Sequence, residues 1–261
     1  VRPCEEAIWK KTITNNEWSK KDGKFWSSKK GTKIGWKFDK KINGKWKMSY
    51  RGVEFLVFPT PFRHFGFFPE QANHWDFIEN VIKNSGRKIK FLNLFGYTGV
   101  ASLFALRAGA EVTHVDASRQ TLIWAKENQK LNSELVEAPM RIIEDDVLKF
   151  LEREEKRGNK YDCVIMDPPK FGRGPGGEIW KIEEMLPRLI ARVRKVLSEK
   201  PLFVILNSYN TDVSSLSLGY ALREALKDLG GKIETGELCL KEKSNKRFVS
   251  LARTGVWTLE K

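Results

Sequence analysis

A short stretch near the middle of the chain combines residue types that could hold a planar polar molecule. The apolar run YDCVIM leads directly into Asp167, Pro168, Pro169, Lys170 and Phe171. A carboxylate and the backbone carbonyls of a rigid Pro–Pro pair can accept hydrogen bonds from the N–H groups of a nucleobase. A following aromatic ring can stack on that base. The stretch therefore predicts a base-binding site; the alternative is an ordinary strand end and surface loop.

Two cations next to this stretch suit a phosphate backbone. Lys170 lies within it, and Arg173 lies in the glycine-rich segment 172–177. We expect Lys170 to meet an RNA phosphate and the segment to form a mobile flap that contacts RNA. A target base inside a helix would have to be unstacked first. The alternative for both cations is an ordinary position on a solvated surface.

Three other apolar runs end in residues that suit a nucleoside-containing cofactor. The first run ends in the turn NLFGYTG, whose glycines allow close approach of the backbone to a ligand. The second ends at Asp116, 20 residues after Gly96, where a carboxylate can accept hydrogen bonds from a ribose diol. The third ends near Asp145 and Asp146. A dinucleotide would require G-x-G-x-x-G, and the turn GYTGVA lacks the middle glycine, so S-adenosylmethionine, which has no phosphate, fits better.

Strand-like and helical patterns alternate from about residue 75. The strand-like runs lie at 88–95, 111–116, 140–145, 161–167 and 202–208. Helical patterns lie between and after them, at 100–108, 118–131, 147–157, 180–198 and 214–229, with Ser118 as an N-cap and Gly109 as a C-terminal cap. This alternation predicts an α/β fold with a doubly wound, mostly parallel sheet, which places its ligand at the carboxyl ends of the strands.

Both ends of the chain depart from this alternation. The last forty residues read as two strands joined by a polar turn at 243–246, which predicts an antiparallel hairpin at the edge of the sheet. Residues 1–60 read as a small β-rich extension, and Asn43–Gly44 predicts a two-residue hairpin turn in it. We therefore predict two parts: the extension, residues 1–60, and the α/β domain, residues 61–261.

The net charge favours a polyanionic partner. The chain of 261 residues carries a formal charge of +14, of which residues 1–50 contribute +9. The same fifty residues contain five of the nine tryptophans, and aromatic residues interleaved with lysines suit contact with RNA. We expect most of these tryptophans to pack a small sheet, so the lysines are the better sign of an RNA-facing surface. The alternative is a lysine-rich composition that decorates the surface without function.

The remaining composition excludes several classes. Cys4, Cys163 and Cys239 have no zinc-site spacing, and their odd number disfavours a disulfide framework. No metal cluster is visible, and His114 reads as a buried core residue. The chain shows no secretion signal and no apolar run as long as a membrane helix. We expect a soluble cytoplasmic protein.

The segments LNLFGYTGVAS, THVDAS, WAKENQ and DPPKFGRG together resemble the class I S-adenosylmethionine-dependent methyltransferases related to the bacterial large-subunit (23S) ribosomal RNA methyltransferases. The segment TPFRHFGFFPEQ resembles one that precedes the fold in this group. The resemblance begins at about residue 55 and does not include the first fifty residues. It implies a Rossmann-like sheet of seven strands, S-adenosyl-L-methionine as cofactor, S-adenosyl-L-homocysteine as product, and RNA, in ribosomal RNA or a ribosomal particle, as partner.

The resemblance also implies roles for individual residues. The turn after the first strand would wrap the methionine and sugar of the cofactor through Asn93, Phe95, Gly96, Tyr97, Thr98 and Gly99. Asp116 would hold the ribose hydroxyls, Ala117 and Ser118 would lie beside the adenine, and Asp146 would receive the adenine amino group. The remaining cofactor contacts would come from Phe68, Pro69, Gln71 and Asp167. Ordinary core packing is an equal alternative for Phe68.

Which atom of the base is methylated depends on whether the chain provides a cysteine nucleophile. Carbon-5 of a pyrimidine requires covalent activation, usually by a cysteine thiolate. Relatives that modify cytosine carbon-5 carry that cysteine after the next strand, where this chain reads Leu206–Tyr209 without one. We therefore expect methylation of a base nitrogen, with guanine favoured. The alternatives are cytosine-C5 methylation, a protein or small-molecule substrate, and an RNA-binding assembly factor without catalysis.

Overall fold

The computed structural model describes residues 6–27, 34–61, 63–209 and 211–259. Cys4, one of the three cysteines considered above, lies outside these residues. The described strands are β1 Gly23–Ser27, β2 Ile34–Phe38, β3 Trp46–Tyr50, β4 Val53–Val57, β5 Lys90–Leu94, β6 Glu111–Asp116, β7 Met140–Glu144, β8 Cys163–Met166, β9 Phe171–Arg173, β10 Ile179–Lys181, β11 Phe203–Ser208, β12 Lys232–Lys241 and β13 Phe248–Thr258.

The helices are α1 Asn15–Ser19, α2 Ala72–Lys83, α3 Val100–Arg107, α4 Arg119–Leu131, α5 Val147–Lys156, α6 Ile182–Val196 and α7 Ser215–Leu226. Short 3₁₀ helices cover Pro69–Gln71, Ser133–Leu135 and Lys227–Leu229. Helix α4 begins after Ser118, whose side chain accepts the N–H of Thr121, and Gly109 follows α3 with φ of 89°. Both predicted caps are therefore confirmed.

The central sheet has seven strands in the order β12-β13-β11-β8-β5-β6-β7. Neighbours from β11 to β7 are parallel, and β13 is antiparallel to both β11 and β12. The chain moves outward from β5 through β6 to β7 and then returns to the other side of β5 as β8. The predicted doubly wound sheet and its C-terminal antiparallel hairpin are confirmed.

Hydrophobic side chains cover both faces of the sheet. Alternate residues of β5 belong to different buried clusters: Leu92 and Leu94 to one, Phe91 to the other. Because successive side chains of a strand point to opposite faces, the two clusters lie on the two sides of the sheet. Helices α5, α6 and α7 contribute to the first cluster, and α2 and α3 contribute to the second.

The N-terminal part forms two separate hairpins, β1–β2 and β3–β4. The turn of the second hairpin is Arg51–Gly52, whose φ angles of 46° and 85° are those of a left-handed two-residue turn. The predicted hairpin at Asn43–Gly44 is wrong. Gly44 has φ of 74°, but it lies in the segment that connects the two hairpins, because β3 pairs with the strand that follows it.

The second hairpin packs against the α/β domain. Val53, Phe55 and Val57 of β4 are fully buried in the same cluster as α2 and α3. Two asparagine side chains accept N–H groups of the outer edge of β4: Asn128 of α4 accepts that of Leu56, and Asn132, directly after α4, accepts that of Glu54, both at 2.8 Å. The division near residue 60 stays a prediction. No described helix is long and apolar enough to cross a membrane.

Candidate active site

A cavity lies at the carboxyl ends of the parallel strands, where the chain reverses between β5 and β8. Leu94 and Met166 are paired at the ends of these strands, so Phe95 and Asp167 enter the cavity side by side. The cavity has a volume of about 470 Å³. Its lining includes twelve of the residues predicted above: Phe68, Phe95, Tyr97, Asp116, Ala117, Ser118, Asp146, Asp167, Pro168, Pro169, Lys170 and Arg173.

A smaller recess of about 40 Å³ continues from this cavity toward α3. It is lined by five further predicted residues: Gln71, Asn93, Gly96, Thr98 and Gly99. Pro69 and Phe171 line neither space. The structure thus brings most of the predicted site residues together and leaves these two outside.

The turn after β5 is held in an unusual backbone conformation. Phe95, Tyr97 and Gly99 have positive φ angles of 57°, 53° and 83°. Non-glycine residues in this region cost about 1–3 kcal/mol each and persist where the surroundings hold them. Gly96 is required for space, because a Cβ there would overlap the ring of His114. The turn is therefore preorganised by its neighbours.

A chain of side-chain hydrogen bonds holds this turn in place. Asn93 Nδ2 donates to Ser102 Oγ, which lies 3.0 Å from His114 Nδ1, and His114 Nε2 lies 3.2 Å from the carbonyl oxygen of Tyr97. Burial lowers the pKa of His114, so the neutral ring carries one proton. Because Ser102 receives the amide hydrogen, its hydroxyl donates to Nδ1 and Nε2–H donates to Tyr97. His114 is a satisfied core residue, as expected.

Asp116 connects this turn to helix α4. Its Oδ2 accepts the N–H of Tyr97 at 2.8 Å, and its Oδ1 accepts the N–H of Ser118 at 2.9 Å and the hydroxyl of Thr121 at 3.0 Å. A carboxylate has about four acceptor positions, so one remains on Oδ2. The geometry allows Asp116 to hold the turn and still accept a ribose hydroxyl.

The two acids after β7 have different partners. Asp146 is the N-cap of α5, and its Oδ1 accepts the N–H of Lys149 at 3.0 Å. This cap does not use Oδ2, which can receive an amino group from the cavity. Asp145 forms an ion pair with Arg153. These contacts leave Asp146 available for the adenine amino group, as the resemblance implies, and the adenine contact itself stays a prediction.

Asp167 has one carboxylate oxygen with a described hydrogen-bond partner and one without. Its Oδ2 accepts the N–H of Gln71 at 2.7 Å, whereas its buried Oδ1 has no hydrogen-bond partner among the described residues. Burial raises the pKa of Asp167 to about 7; the hydrogen bond from Gln71 opposes this shift, and the negative charge of Glu70 adds to it. The cavity thus contains an acceptor that lacks a donor.

Aromatic side chains line the same cavity as this carboxylate. The Gln71 amide also donates to the Tyr209 hydroxyl at 3.0 Å, and the Tyr209 ring centroid lies 5.1 Å from that of Phe68. Phe68 in turn lies 5.7 Å from Tyr97 and 4.7 Å from His64. Phe68 therefore belongs to the cavity wall rather than to the core. Burial raises the pKa of Tyr209, so its hydroxyl stays protonated.

The glycine-rich segment after Asp167 is a β-hairpin. Strands β9 and β10 pair from Phe171 to Lys181, and Gly174 N–H donates to the carbonyl of Glu178 at 2.8 Å. The helix predicted from residue 180 therefore begins later, at Ile182. Phe171 lies on β9 with 56% of its surface exposed, so the predicted stacking role of this ring stays a prediction.

Trp180 of β10 takes the inward position instead. Its indole N–H donates to the carbonyl of Pro169 at 2.7 Å, and its ring lies edge-on to Phe95 with centroids 4.9 Å apart. The Pro169 carbonyl, which was predicted to receive a base, is thus engaged by the indole. Trp180 fixes the diproline relative to the turn after β5.

Sequence reasoning missed several lining residues, among them Thr60, His64, Trp180 and Tyr209. Tyr209 directly follows β11, so the rule that ligands lie beyond parallel strand ends could have found it. Trp180 carries no comparable signal, because only the β9–β10 pairing directs it inward.

Neither described cysteine lines the cavity. Cys163 is fully buried in β8, and burial raises the pKa of its thiol well above the ordinary value. Cys239 lies on β12. At the place considered above for a catalytic cysteine, Asn207 is fully buried, with its Oδ1 3.1 Å from His74 Nε2. No group of three or more His, Cys, Asp or Glu side chains suited to a metal occurs in the described residues.

Comparison with known proteins agrees with this geometry. A family model described as conserved hypothetical protein 95 matches residues 75–205, about half of the chain. A solved S-adenosylmethionine-dependent methyltransferase from Agrobacterium tumefaciens is 42% identical, with a TM-score of 0.94; the match covers 99% of this chain and 84% of that chain. The chain belongs to this family of S-adenosylmethionine-dependent methyltransferases. The resemblance and the cofactor predicted from the sequence are thereby confirmed.

Curated relatives of the methyltransferase carry names that refer to ribosomal RNA. Ribosomal RNA large subunit methyltransferase K/L of Cellvibrio japonicus is 35% identical over 50% of this chain and 17% of its own length. Ribosomal RNA large subunit methyltransferase I of Aeromonas salmonicida is 37% identical over 46% of this chain and 29% of its own length. The match thus spans less than a third of either relative.

The residues of the methyltransferase cavity fit the cofactor. Asp116 and Asp146 have carboxylate oxygens that could accept hydrogen bonds from ribose hydroxyls and an adenine amino group, and the rings of Phe68 and Tyr97 line the same cavity. The volume of about 470 Å³ lies within the usual range of pockets for ligands of this size, about 300–1,000 Å³. Asp167 lines both the cavity and the recess, and its catalytic role stays a prediction.

Proposed function

We propose that the protein transfers a methyl group from S-adenosylmethionine to a nitrogen of an RNA base, with guanine in 23S ribosomal RNA as the favoured target. The observation that carries this proposal is Asp167 Oδ1, a buried acceptor without a described partner in the cavity that fits the cofactor. A buried acceptor without a donor costs about 1–3 kcal/mol, and an N–H group of a bound base would remove that cost.

The residues around Asp167 account for the steps of such a transfer. When bound, the cofactor supplies a methyl group on a positively charged sulfur, and the sulfur keeps the bonding electron pair as the base nitrogen displaces it. The methylated nitrogen then loses its proton. With a pKa of about 7, the Asp167 carboxyl can accept that proton near neutral pH. The rings of Phe68 and Tyr209 line the same cavity as the carboxyl.

The two described cysteines support a nitrogen target rather than carbon-5. A carbon-5 target needs a thiolate that can form a covalent bond with the base. Cys163 is buried within β8, with its thiol pKa raised, and Cys239 lies on the edge strand β12. Neither residue lines the cavity in which a base would contact Asp167.

Charge and relatives support RNA as the substrate. The net charge of +14 attracts a polyanion, and Lys170 and Arg173 line the cavity mouth, where a phosphate backbone would pass. Relatives with similar segments are named as large-subunit ribosomal RNA methyltransferases. We place this reaction in the cytoplasm, in keeping with a ribosomal substrate.

Transfer of labelled methyl groups tests the proposal. The purified protein, labelled S-adenosylmethionine and unmodified 23S rRNA are expected to yield one N-methylated nucleoside by mass spectrometry, with guanine as the parent base. Asp167→Asn is expected to lower kcat by about 100-fold or more, because an amide cannot accept the proton. The matched control is Asp228→Asn, which removes an exposed carboxylate paired with Arg194 far from the cavity. It should leave kcat unchanged.

Three results would contradict the proposal. Label in proteins or small molecules but not in RNA would point to a different substrate. A methyl group on carbon-5 of cytosine would exclude the nitrogen mechanism. Tight cofactor binding without transfer to rRNA or to large ribosomal subunits would indicate a binding factor without this activity.

A further inference from the structure

A second large groove adjoins the active-site cavity on the side of the N-terminal hairpins. It has a volume of about 580 Å³. Thr60 lines both this groove and the active-site cavity, so the two spaces meet at one residue. None of the roles derived so far uses this groove.

Aromatic side chains form the walls of the groove, which we call the aromatic groove after Trp36, Phe38 and Phe58. The rings of Trp36 and Phe38 are nearly parallel, with an interplanar angle of 14° and centroids 5.7 Å apart. The Trp36 indole N–H donates to the Thr60 carbonyl at 3.0 Å. The wall is therefore anchored to the segment that separates the groove from the cavity.

Cations flank these rings. Lys40 and Lys41 line the groove and are exposed, and the neighbouring acid in the lining is Asp39. These lysines belong to the fifty-residue segment that carries a net charge of +9. Aromatic rings beside lysines are the usual means of binding single-stranded nucleic acid, since the rings stack on bases and the cations track phosphates.

We propose that the aromatic groove binds an unpaired RNA nucleotide that lies next to the target nucleotide. The inference rests on the proposed function, because it assigns the groove to the same RNA strand. The volume suits one nucleotide, and the shared Thr60 lets a strand pass from the groove into the cavity. The charge of the flanking lysines favours a polyanion over an uncharged or cationic occupant.

The first experiment measures RNA affinity directly. The full chain is titrated into a fluorescein-labelled single-stranded RNA of about eight nucleotides, with and without S-adenosylmethionine. Phe58→Ala is expected to raise Kd about fivefold or more, since loss of one base–aromatic stack has an effect of this size. Phe248→Ala removes an exposed ring on β13, 63% exposed compared with 37% for Phe58, and should leave Kd unchanged. Thermal unfolding and cofactor affinity show that each variant is folded.

The second experiment measures the salt dependence of binding. Each phosphate contact on a single strand contributes about 0.7 to the slope of log Kd against log salt concentration. The double variant Lys40→Ala with Lys41→Ala is expected to lower that slope by about 1.4. Lys88→Ala with Lys90→Ala removes the same charge from exposed lysines at the amino end of β5, and should not change the slope.

The outcomes separate this inference from the proposed function. If 23S rRNA is methylated normally but neither Phe58→Ala nor the lysine pair changes Kd or KM, the aromatic groove is not an RNA site, while the proposed function stands. If binding depends on the groove but no RNA is methylated, the groove inference stands and the proposed function fails. Equal loss in the groove variants and their controls would also overturn the inference, because the effect would then be one of total charge or stability.

Discussion

Two carboxylates with buried oxygens lie at opposite ends of the sheet and differ in the number of hydrogen bonds that they accept. Asp167 follows β8 at the carboxyl end and retains an acceptor oxygen without a described partner. Glu154 of α5 lies at the amino end and is fully buried. It receives hydrogen bonds from Arg141 at 2.8 Å, Tyr161 at 2.6 Å and Asn159 at 2.9 Å.

The pKa values of the two groups move in opposite directions. Burial alone would raise the pKa of Glu154, but the hydrogen bonds from Arg141, Tyr161 and Asn159 lower it to about 2. Burial raises the pKa of Asp167 to about 7, because a single bond from Gln71 does not compensate for it. A buried acid with a complete set of donors stabilises the fold, whereas one short of donors is available to a ligand.

The largest expected effect comes from replacing each of the two acids, Glu154 and Asp167, by its uncharged amide. Glu154→Gln is expected to lower the free energy of unfolding by about 3 kcal/mol, the equivalent of its pKa shift, because the two arginines Arg141 and Arg157 lose their buried partner. Asp167→Asn should not lower it, since no buried charge remains to be desolvated. Urea unfolding measures both values, and titration with S-adenosylmethionine should show unchanged affinity for Glu154→Gln. Equal destabilisation by both changes would refute the contrast.

Two glycines, one at each end of the sheet, allow the same comparison to be made for the backbone. Gly96→Ala places a Cβ against the His114 ring, and overpacking of this kind costs about 1–3 kcal/mol. Because we expect the turn after β5 to wrap the cofactor, Kd for S-adenosylmethionine should rise at least about tenfold. Gly158, near Glu154, has φ of 71° with open space around it. Gly158→Ala should therefore cost about 1 kcal/mol of backbone strain and leave cofactor affinity unchanged. Calorimetric titration and thermal unfolding measure the two effects.

The double variant Gly96→Ala with His114→Ala provides the control for this steric argument. If the histidine ring is the obstacle, its removal should restore part of the cofactor affinity. Failure to restore any affinity would mean that Gly96 is needed for its backbone or for contact with the ligand, and not for the space that His114 occupies.

The sequence predicted the carboxyl end of the sheet better than the amino end. Apolar runs that end in Asp116 or Asp167 mark strand ends, and parallel strands bring such ends together. Glu154 lies in the highly charged run EREEKR, which reads as a solvated helix face. Its burial depends on Tyr161 and Arg141, which approach it only after the sheet has formed.

Local signals also failed where two pairings were possible. Asn43–Gly44 and Arg51–Gly52 both accommodate left-handed turns, and the stronger sequence signal is the first. The hairpin forms at the second, because this pairing joins β3 to β4, whose alternate residues Val53, Phe55 and Val57 are buried. The burial of β4 against α2 and α3 determines which pairing forms. A contact between such distant segments cannot be predicted from a short stretch of sequence.

The smallest expected effect is a difference between the two carboxylates in how the free energy of unfolding depends on pH. The folded protein keeps a proton on Asp167 up to about pH 7, whereas the unfolded chain releases it near pH 4. Between these values the folded state binds more protons, so the stability contributed by Asp167 falls as pH rises. Relative to Asp167→Asn, the wild-type protein should lose about 1–2 kcal/mol between about pH 4 and 7, less than the full pKa shift implies, because the carboxyl borders an open cavity.

Glu154 should behave in the opposite sense. Its pKa in the folded protein is about 2, below the unfolded value of about 4.5, so its contribution is complete above that value and is lost as pH falls toward 2. His74, whose pKa burial lowers to about 4, also titrates in this range, but it is present in every variant and cancels in the differences. Urea unfolding of the wild-type protein, Asp167→Asn and Glu154→Gln across the pH range measures both windows. Each variant gives one difference from the wild-type protein in free energy of unfolding. If both differences changed in the same direction with pH, the number of hydrogen-bond donors around each carboxylate would not explain the contrast between Asp167 and Glu154.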